Sequence, residues 1–179
     1  MLTANEIEIQ RECGNIILEP WDPKCLGPNS YDVHLHNELI TYRDTILDTR
    51  GENRVLRMTI PDEGFELEPG RLYLARTEEY TETRNLVPMY EGRSSMARLG
   101  VLSHISAGFG DIGFRGHWTL EIINLNHQKK VRVYPGMRIG QLYWHKPEGF
   151  IRKTYNGKYQ DSNDVMESQM WRDRENNGN

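Results

Sequence analysis

The sequence predicts a mainly β fold, a sandwich or a barrel, with one short helix at the N-terminus. Apolar and polar residues alternate with a period of two in several segments, most clearly over 31–36 and 71–77, which is typical of half-buried strands. Turns such as Glu68-Pro69-Gly70 and Pro135-Gly136 separate many short apolar segments. A length of 179 residues suits a single domain spanning 1–179.

The helix is predicted at the start of the chain, where Thr3-Ala4-Asn5-Glu6 fits a capping box and Gly14 marks a stop. A proline-rich loop over 20–30 follows, and one helical turn is predicted over 95–99. The tail, 146–179, is polar and charged, so we expect a C-terminal arm that is mobile or is ordered by a ligand or a neighbouring subunit. Strands are predicted at 16–19, 31–36, 39–47, 55–60, 71–77, 87–90, 101–105, 117–125 and, broken by the Pro135-Gly136 turn, 131–142.

The composition argues against several classes of protein. A net charge of −4 and a pI of about 5.9 are unlike those of a basic nucleic-acid-binding module, so no nucleic-acid partner is expected. Two cysteines are too few for a disulfide scaffold or a four-thiolate zinc site. The chain has neither an apolar run long enough to span a bilayer nor a signal-peptide pattern at its start, so we expect a soluble cytoplasmic protein without a membrane partner.

The histidines do not suggest a metal site. His34 and His36 share a strand face, but no third ligand stands at a recognisable spacing, and we expect both to face solvent. The other four, including His104 and His117, each stand singly and are expected to do the same. The zinc deaminase signature, H-x-E followed by P-C-x-x-C, is absent, so any deamination by this chain would proceed without zinc.

The stretch 91–121 is the densest in small, polar and ionisable residues. Gly92-Arg93-Ser94-Ser95 offers a guanidinium, hydroxyls and backbone N–H groups, the donors that a di- or triphosphate requires. An ordinary serine N-cap with a surface arginine would give the same sequence pattern. Arg98 would share a helix face with Ser94. Farther on, Asp111 lies in a Gly-rich loop and could accept from a sugar hydroxyl or simply end a turn.

Glu121 lies in the middle of a strand that looks buried, HWTLEIINL. Trp118, Leu120 and Ile122 would face one side, while His117, Thr119, Glu121 and Ile123 would face a cleft. Burial raises the pKa of a carboxyl group and suits it to proton transfer. The alternative is a structural ion pair with Arg98 or Arg115, and the sequence alone favours neither reading.

Five motifs together resemble the dCTP deaminases of the trimeric dUTPase-like superfamily. They are PNSYDVHL (28–35), EGRSSMARLG (91–100), SHISAGFGDIGFRGHWTLE (103–121), PGMRIGQL (135–142) and YNGKYQ (155–160). The resemblance implies a homotrimer of distorted, jelly-roll-like β-barrels with active sites between subunits. It also implies dCTP as substrate, dTTP as a feedback inhibitor, and Mg²⁺ carried on the triphosphate rather than held by the protein.

The resemblance further implies roles for individual residues. Glu121 would be the general acid/base, and Ser94, Arg98 and the carbonyl of Ala107 would hold the attacking water. Phosphate, sugar and base would contact a larger set of residues: Arg93, Ser94, Ser95, Met96, Ala97, Arg98, Asp111, Thr119, Leu120, Glu121, Gln141, Tyr155 and Lys158.

Three departures from the family pattern bear on the product. Gly108-Phe109 resembles the bifunctional members, which form dUMP and pyrophosphate, whereas strictly deaminating members tend to have His-Arg there. Gly110 and Ile112 replace an apolar residue and a proline, which predicts a more flexible loop around Asp111. Ser162 stands near the position where the family usually has a glutamine in the tail. We therefore expect the binding of the triphosphate or the ordering of the tail to differ from that in other family members.

The main hypothesis is a zinc-independent dCTP deaminase that releases dUTP and ammonia. A bifunctional enzyme giving dUMP and pyrophosphate is the first alternative. A dUTPase is another, although Phe114 takes the place of the tyrosine in its motif and the Gly-rich C-terminal motif is missing. A nucleotide-sensing trimer without catalysis is the non-enzymatic alternative.

Overall fold

The computed structural model describes residues 1–174. Its helices are α1 (Ala4–Glu12) and α2 (Ser94–Arg98), and 3₁₀ helices cover Pro23–Cys25 and Met170–Arg174. The strands in this part of the chain are β1 (Ile16–Glu19), β2 (Tyr31–Tyr42), β3 (Val55–Thr59), β4 (Phe65–Leu67), β5 (Leu72–Thr83), β6 (Val87–Gly92), β7 (Val101–Leu102), β8 (Arg115–Asn124), β9 (Val131–Val133) and β10 (Arg138–His145).

Eight of these strands form one antiparallel sheet in the order β6-β10-β2-β5-β8-β7, with β1 paired to β5 and β3 paired to β2. The sheet curves into a nearly closed barrel, and β4 and β9 form a separate two-stranded ribbon. The prediction of a mainly β fold with a short N-terminal helix is therefore confirmed. No helix among residues 1–174 has the length and apolar character needed to cross a membrane.

Two long strands contain register shifts that the sequence pattern does not reveal. β2 is continuous where two strands are predicted, and its pairing with β5 shifts between Leu35 and Leu39. The pairing of β5 with β8 shifts between Arg76 and Tyr80. Such irregularities break the alternation locally while the ladder continues beyond them. β4 is missed altogether, because three residues are too few to show a period.

The N-terminal helix has the predicted extent but not the predicted cap. Thr3 occupies the N-cap position without a side-chain hydrogen bond, so the capping box is wrong. Glu6 instead accepts from Gln10 at 2.9 Å and forms an ion pair with Lys146 at 2.7 Å. The helix ends at Cys13, followed by Gly14 with φ +70°, a conformation that suits a glycine stop.

The prediction of solvent-facing histidines is wrong for those on β2 and β8. His34 contacts the carboxylate of Glu79, which is only 1% exposed, and lies 3.7 Å from the Cys25 sulfur. His36 Nε2 is 2.8 Å from a nitrogen of Arg76, and His117 Nδ1 is 3.2 Å from another. A half-buried charged network covers this face of the sheet, so the imidazoles are not simply solvated.

The described part of the C-terminal arm lies against its own barrel. Ser162 Oγ donates to the carbonyl of His117 at 2.8 Å, and the His117 N–H donates to the carbonyl of Ser162 at 2.9 Å. Three residues later, Val165 is buried with Ile40 and Leu74. These contacts hold residues 162–165 of the arm against the barrel. The last residues of the predicted arm, 175–179, lie outside the described residues.

Candidate active site

Glu121 lines a cavity of about 500 Å³ on the outer face of β8. The strand alternates as predicted: Trp118, Leu120 and Ile122 are buried, and Glu121 lies with Thr119 on the opposite face. The walls come from β2, β5, the loop before β8 and the arm. They comprise Tyr42, Leu72, Leu74, Ala107, Phe109, Gly110, Asp111, Phe114, His117, Trp118, Thr119, Glu121, Tyr155, Tyr159, Ser162, Met166, Glu167 and Ser168.

Burial raises the pKa of the Glu121 carboxyl above its usual value. A hydrogen bond from the Ile105 N–H to Oε2, 3.3 Å long, and the nearby His104 oppose this shift without cancelling it. A raised pKa makes the carboxylate a stronger proton acceptor, which suits it to general acid–base catalysis.

The structure does not supply the ion pair that was the alternative role for Glu121. Arg115 forms its ion pair with Asp161 on the arm. Arg98 is exposed on α2, outside the cavity. Among the described residues, no ion pair involves Glu121, so this chain leaves the carboxylate available to a water molecule or a ligand.

The loop before β8 approaches Glu121 along a constrained path. Ser106 has φ +51°, a left-handed conformation that a residue with a side chain rarely adopts, and it turns the chain immediately before Ala107. Ala107 and Asp111 both line the cavity. Backbone strain of this kind persists only where the surroundings fix it, and such sites are often functional.

Two of the three glycines in this loop, Gly108 and Gly110, are required by close packing against β6 and β8. A Cβ on Gly108 would lie 2.2 Å from the carbonyl oxygen of Tyr90, and one on Gly110 would lie 2.6 Å from the Trp118 ring. Backbone hydrogen bonds join Tyr90 N to Gly108 O and Gly110 N to Pro88 O, at 2.7 and 2.9 Å. These contacts tie the loop to the sheet at Gly108 and Gly110, and the flexibility expected around Asp111 stays a prediction.

Aromatic side chains form one wall of the cavity. The Phe114 ring lies edge-on to Trp118 and to Tyr155, with centroid distances of 5.5 and 6.0 Å. The Tyr155 N–H donates to the carbonyl of Ile112 at 2.7 Å, which attaches the arm to the Gly-rich loop. This wall offers flat apolar surface beside the carboxylates of Asp111 and Glu121, as a nucleoside would need.

Outside the cavity, a cluster of polar residues lies next to the start of α2. It consists of Ser30, Asp32, Arg93, Arg138 and Gln141, and we call it the α2 cluster because Arg93 is the N-cap of that helix. Arg93 Nη2 and Arg138 Nη1 lie 3.3 and 3.2 Å from the same oxygen of Asp32. Gln141 pairs with Asp32 across β10 and β2, and its side chain accepts from Ser30 Oγ at 3.1 Å. The cluster thus gathers cationic and amide groups beside the exposed Ser94 and Ser95.

Comparison with known proteins identifies the family. A family model described as dCTP deaminase-like matches residues 1–146. The chain belongs to this family. A relative from Hathewaya histolytica, named dCTP deaminase, dUMP-forming, is 49% identical over 175 residues, covering 98% of this chain and 99% of the relative. A relative of the same name from Leptospira biflexa is also 49% identical over 175 residues, covering 98% of each chain.

The barrel of this dCTP deaminase-like chain also resembles a solved structure. The crystal structure of 2′-deoxycytidine 5′-triphosphate deaminase from Agrobacterium tumefaciens superposes with a TM-score of 0.65 at 18% sequence identity. The alignment covers 82% of this chain but only 48% of that one, so the chain spans about half the length of that protein. At this identity the likeness concerns the fold.

The structure divides the residues predicted for the deaminase site into two groups. One group lies in the Glu121 cavity, and the other lies on α2 or in the α2 cluster. Of the described residues that line the cavity, none comes from α2. The cavity group is Ala107, Asp111, Thr119, Glu121 and Tyr155; the second group is Arg93, Ser94, Ser95, Ala97, Arg98 and Gln141.

Three predicted residues have side chains that belong to neither surface. Leu120 and Met96 are buried in the core, so their side chains are not available to a ligand. The ammonium of Lys158 contacts both carboxylate oxygens of Asp173 at 2.7 Å, on the part of the arm next to the cavity.

Sequence reasoning missed the contributions of β2 and β10. Tyr42 lines the Glu121 cavity, and Asp32 and Arg138 complete the α2 cluster. Asp32 and Arg138 stand inside two of the family motifs, so the motifs could have indicated them. No pattern in the sequence indicated Tyr42, because it reaches the cavity only through the continuation of β2 past its register shift.

Proposed function

We propose that the protein is a bifunctional dCTP deaminase that converts dCTP to dUMP, ammonia and pyrophosphate. The observation that carries the deaminase part is Glu121, which is half-buried, has a raised pKa, forms no ion pair among residues 1–174 and faces a nucleoside-sized cavity. The names of the 49% identical relatives favour dUMP over dUTP as the product. The main sequence hypothesis, release of dUTP, therefore gives way to its alternative.

In the deamination step, the Glu121 carboxylate accepts a proton from water as the water oxygen forms a bond to C4 of cytosine. Glu121 then delivers that proton to the 4-amino group, the C4–N bond breaks, and ammonia leaves. The second proton of the water, carried on the new C4 hydroxyl, ends on N3, which leaves the keto form of uracil. The water would be held by the carbonyl of Ala107 and by Ser94 and Arg98 of a neighbouring subunit. Asp111 would accept from the sugar hydroxyl, beside the Phe114–Tyr155 wall.

In the second step, another water attacks the triphosphate, the bond between the α- and β-phosphates breaks, and dUMP and pyrophosphate are released. The Gly108-Phe109 pair supports this step, because the structure holds Gly108 too close to the Tyr90 carbonyl to accept a side chain such as histidine. The loop conformation thus suits the bifunctional pattern in the sequence.

The assembly and the ions are also part of this proposal. A homotrimer would bring α2 of one subunit to the Glu121 cavity of another, which accounts for two half-sites in one chain. Mg²⁺ would arrive on the triphosphate and neutralise phosphate charge; among the described residues, no group of three or more His, Cys, Asp or Glu side chains could hold a metal ion. dTTP, which shares the sugar and triphosphate, would compete as a feedback inhibitor.

Product analysis tests the function. The purified protein is incubated with dCTP and Mg²⁺, and nucleotides, ammonia and pyrophosphate are quantified over time. We expect dUMP, ammonia and pyrophosphate in equal amounts. Release of dUTP alone would show deamination without the second step. Cleavage of added dUTP, with dCTP left unchanged, would indicate a dUTPase. If neither nucleotide is turned over, the proposal that the protein is an enzyme of this kind is wrong.

Replacing Glu121 by glutamine tests the mechanism. Glu121→Gln should lower the rate of ammonia release by about 10²–10⁴-fold, because the amide cannot shuttle the proton, while dCTP still binds. Binding is measured by calorimetry and turnover by ammonia release. The control is Glu52→Gln, the same change at an exposed loop position, which should leave the rate unchanged. A Glu121→Gln variant that keeps most of its rate contradicts the mechanism.

A further inference from the structure

Asp32 places a negative charge inside the α2 cluster, beside Arg93, which is predicted to contact the nucleotide. Its side chain is only 17% exposed and lies against the guanidinium of Arg93, at 3.3 Å. An isolated pair of this kind would neutralise Arg93 and would set a carboxylate against incoming phosphates. The α2 cluster therefore needs a further cation if Arg93 is to bind an anion.

Arg138 supplies that cation. Its Nη1 lies 3.2 Å from the same Asp32 oxygen that Arg93 approaches, so one carboxylate is shared by two guanidinium groups. The three side chains together carry one net positive charge. Without Arg138 they would carry none, and Asp32 would pair with Arg93 alone.

A backbone carbonyl also holds the Arg138 guanidinium. Its Nη2 donates to the carbonyl of Lys24 at 3.3 Å, in the 3₁₀ helix Pro23–Cys25. Arg138 pairs with His34 across β10 and β2, and the register shifts between Arg138 and Gly140. The guanidinium thus links a backbone carbonyl to Asp32, and Arg93 approaches the same carboxylate with a third of its side chain still exposed.

We propose that Arg138 is a positioning residue for the triphosphate: by engaging Asp32, it leaves the Arg93 guanidinium able to bind phosphate. This rests on the proposed function, because it assumes that Arg93 meets the triphosphate of a nucleotide. Arg138 itself touches Asp32 and the Lys24 carbonyl, so it acts through Arg93 and not on the reacting atoms.

The test compares Arg138→Met, which removes the charge, with Arg138→Lys, which keeps it. For Arg138→Met we expect KM for dCTP to rise about tenfold with kcat within twofold of wild type, since only anchoring is weakened. The inhibition constant of inorganic tripolyphosphate, a competitive inhibitor that lacks base and sugar, should rise by a similar factor in Arg138→Met. Arg138→Lys should remain within about threefold of wild type in both measurements.

Two outcomes would overturn the proposal. One is a dCTP KM that rises while inhibition by tripolyphosphate stays unchanged, because the effect would then lie outside the phosphates. The other is Arg138→Lys behaving like Arg138→Met, or kcat falling as much as KM rises, because the residue would then have only a structural role. Melting temperatures and oligomeric state are compared for all three proteins.

Calorimetry with tripolyphosphate separates this proposal from the proposed function. If wild type binds tripolyphosphate but does not turn over dCTP, the function fails while Arg138 can still be judged by binding. If wild type turns over dCTP and Arg138→Met binds tripolyphosphate as tightly as wild type, the function stands and the positioning role fails.

Discussion

The burial that suits Glu121 to the proposed chemistry also lowers the stability of the folded state once the carboxyl ionises. Because burial raises the pKa of its carboxyl, the folded chain keeps this proton at pH values at which the unfolded chain, with a pKa near 4.5, has released it. The contribution of this group to stability is fully present below the unfolded pKa and is lost as the pH rises through the raised, folded pKa. A group held ready for proton transfer is commonly costly in this way.

Glu121→Gln should therefore be more stable than wild type at pH 8 and equally stable near pH 4, where the wild-type carboxyl is protonated in both states. Each kcal/mol of difference would raise the melting temperature of a chain of this size by roughly 2–4 °C. Thermal unfolding from pH 4 to pH 8 measures the effect, with Glu52→Gln as the exposed control. A difference that is constant across this range would show that packing, not ionisation, is responsible.

The alternation on β8 made the orientation of Glu121 predictable, because strand periodicity is a local property. The same reasoning failed for His34, His36 and Tyr42, whose surroundings depend on how β2 and β5 pair across their register shifts. Sequence motifs also grouped Ser94 with Glu121, yet the chain places them on separate surfaces. Closeness along the chain does not fix closeness in space, even with only β7 between α2 and β8.

The arm is held against the barrel by a buried apolar contact at Val165 and by hydrogen bonds. Val165 is 1% exposed in a small cluster with Ile40 and Leu74, and the hydrogen bonds of Ser162 to His117 lie three residues before it. Residues of this segment, including Ser162 and Met166, wall the Glu121 cavity. Anchoring at Val165 therefore shapes the cavity as well as the arm.

Val165→Asp should release the arm, because an unpaired carboxylate cannot remain in an apolar cluster. We expect faster proteolysis within 155–174 and a higher KM for dCTP, with the barrel still folded. Limited proteolysis and circular dichroism measure these effects. Asn163→Asp introduces the same group at an exposed position two residues away and should behave as wild type. Unchanged proteolysis of Val165→Asp would mean that other contacts hold the arm.

At the scale of the whole molecule, the two half-sites make a test of assembly possible. In the proposed trimer, α2 of one subunit completes the Glu121 cavity of the next. A subunit lacking Glu121 and a subunit lacking Arg98 would then complement each other, since a mixed trimer contains sites in which both groups are intact.

Co-assembly of Glu121→Gln with Arg98→Ala in equal amounts should restore about one quarter of wild-type activity, the fraction of sites that draw both intact halves from a random mixture. The matched control is Glu121→Gln mixed with Asp111→Ala. Both changes lie in the same cavity, so no site is intact and no activity should return. Absence of recovery in the first mixture would mean that one chain supplies the entire site.

The contact between Gly108 and the Tyr90 carbonyl limits the substitutions that this loop can accept. A Cβ at Gly108 cannot be accommodated without moving β6 or the loop, since a backbone atom stands 2.2 Å away. Its two neighbours, Ala107 and Phe109, line the Glu121 cavity. Any residue with a side chain at this position would therefore displace the main chain beside the cavity, so an engineered exchange of Gly108 would reshape the cavity wall as well as add one side chain.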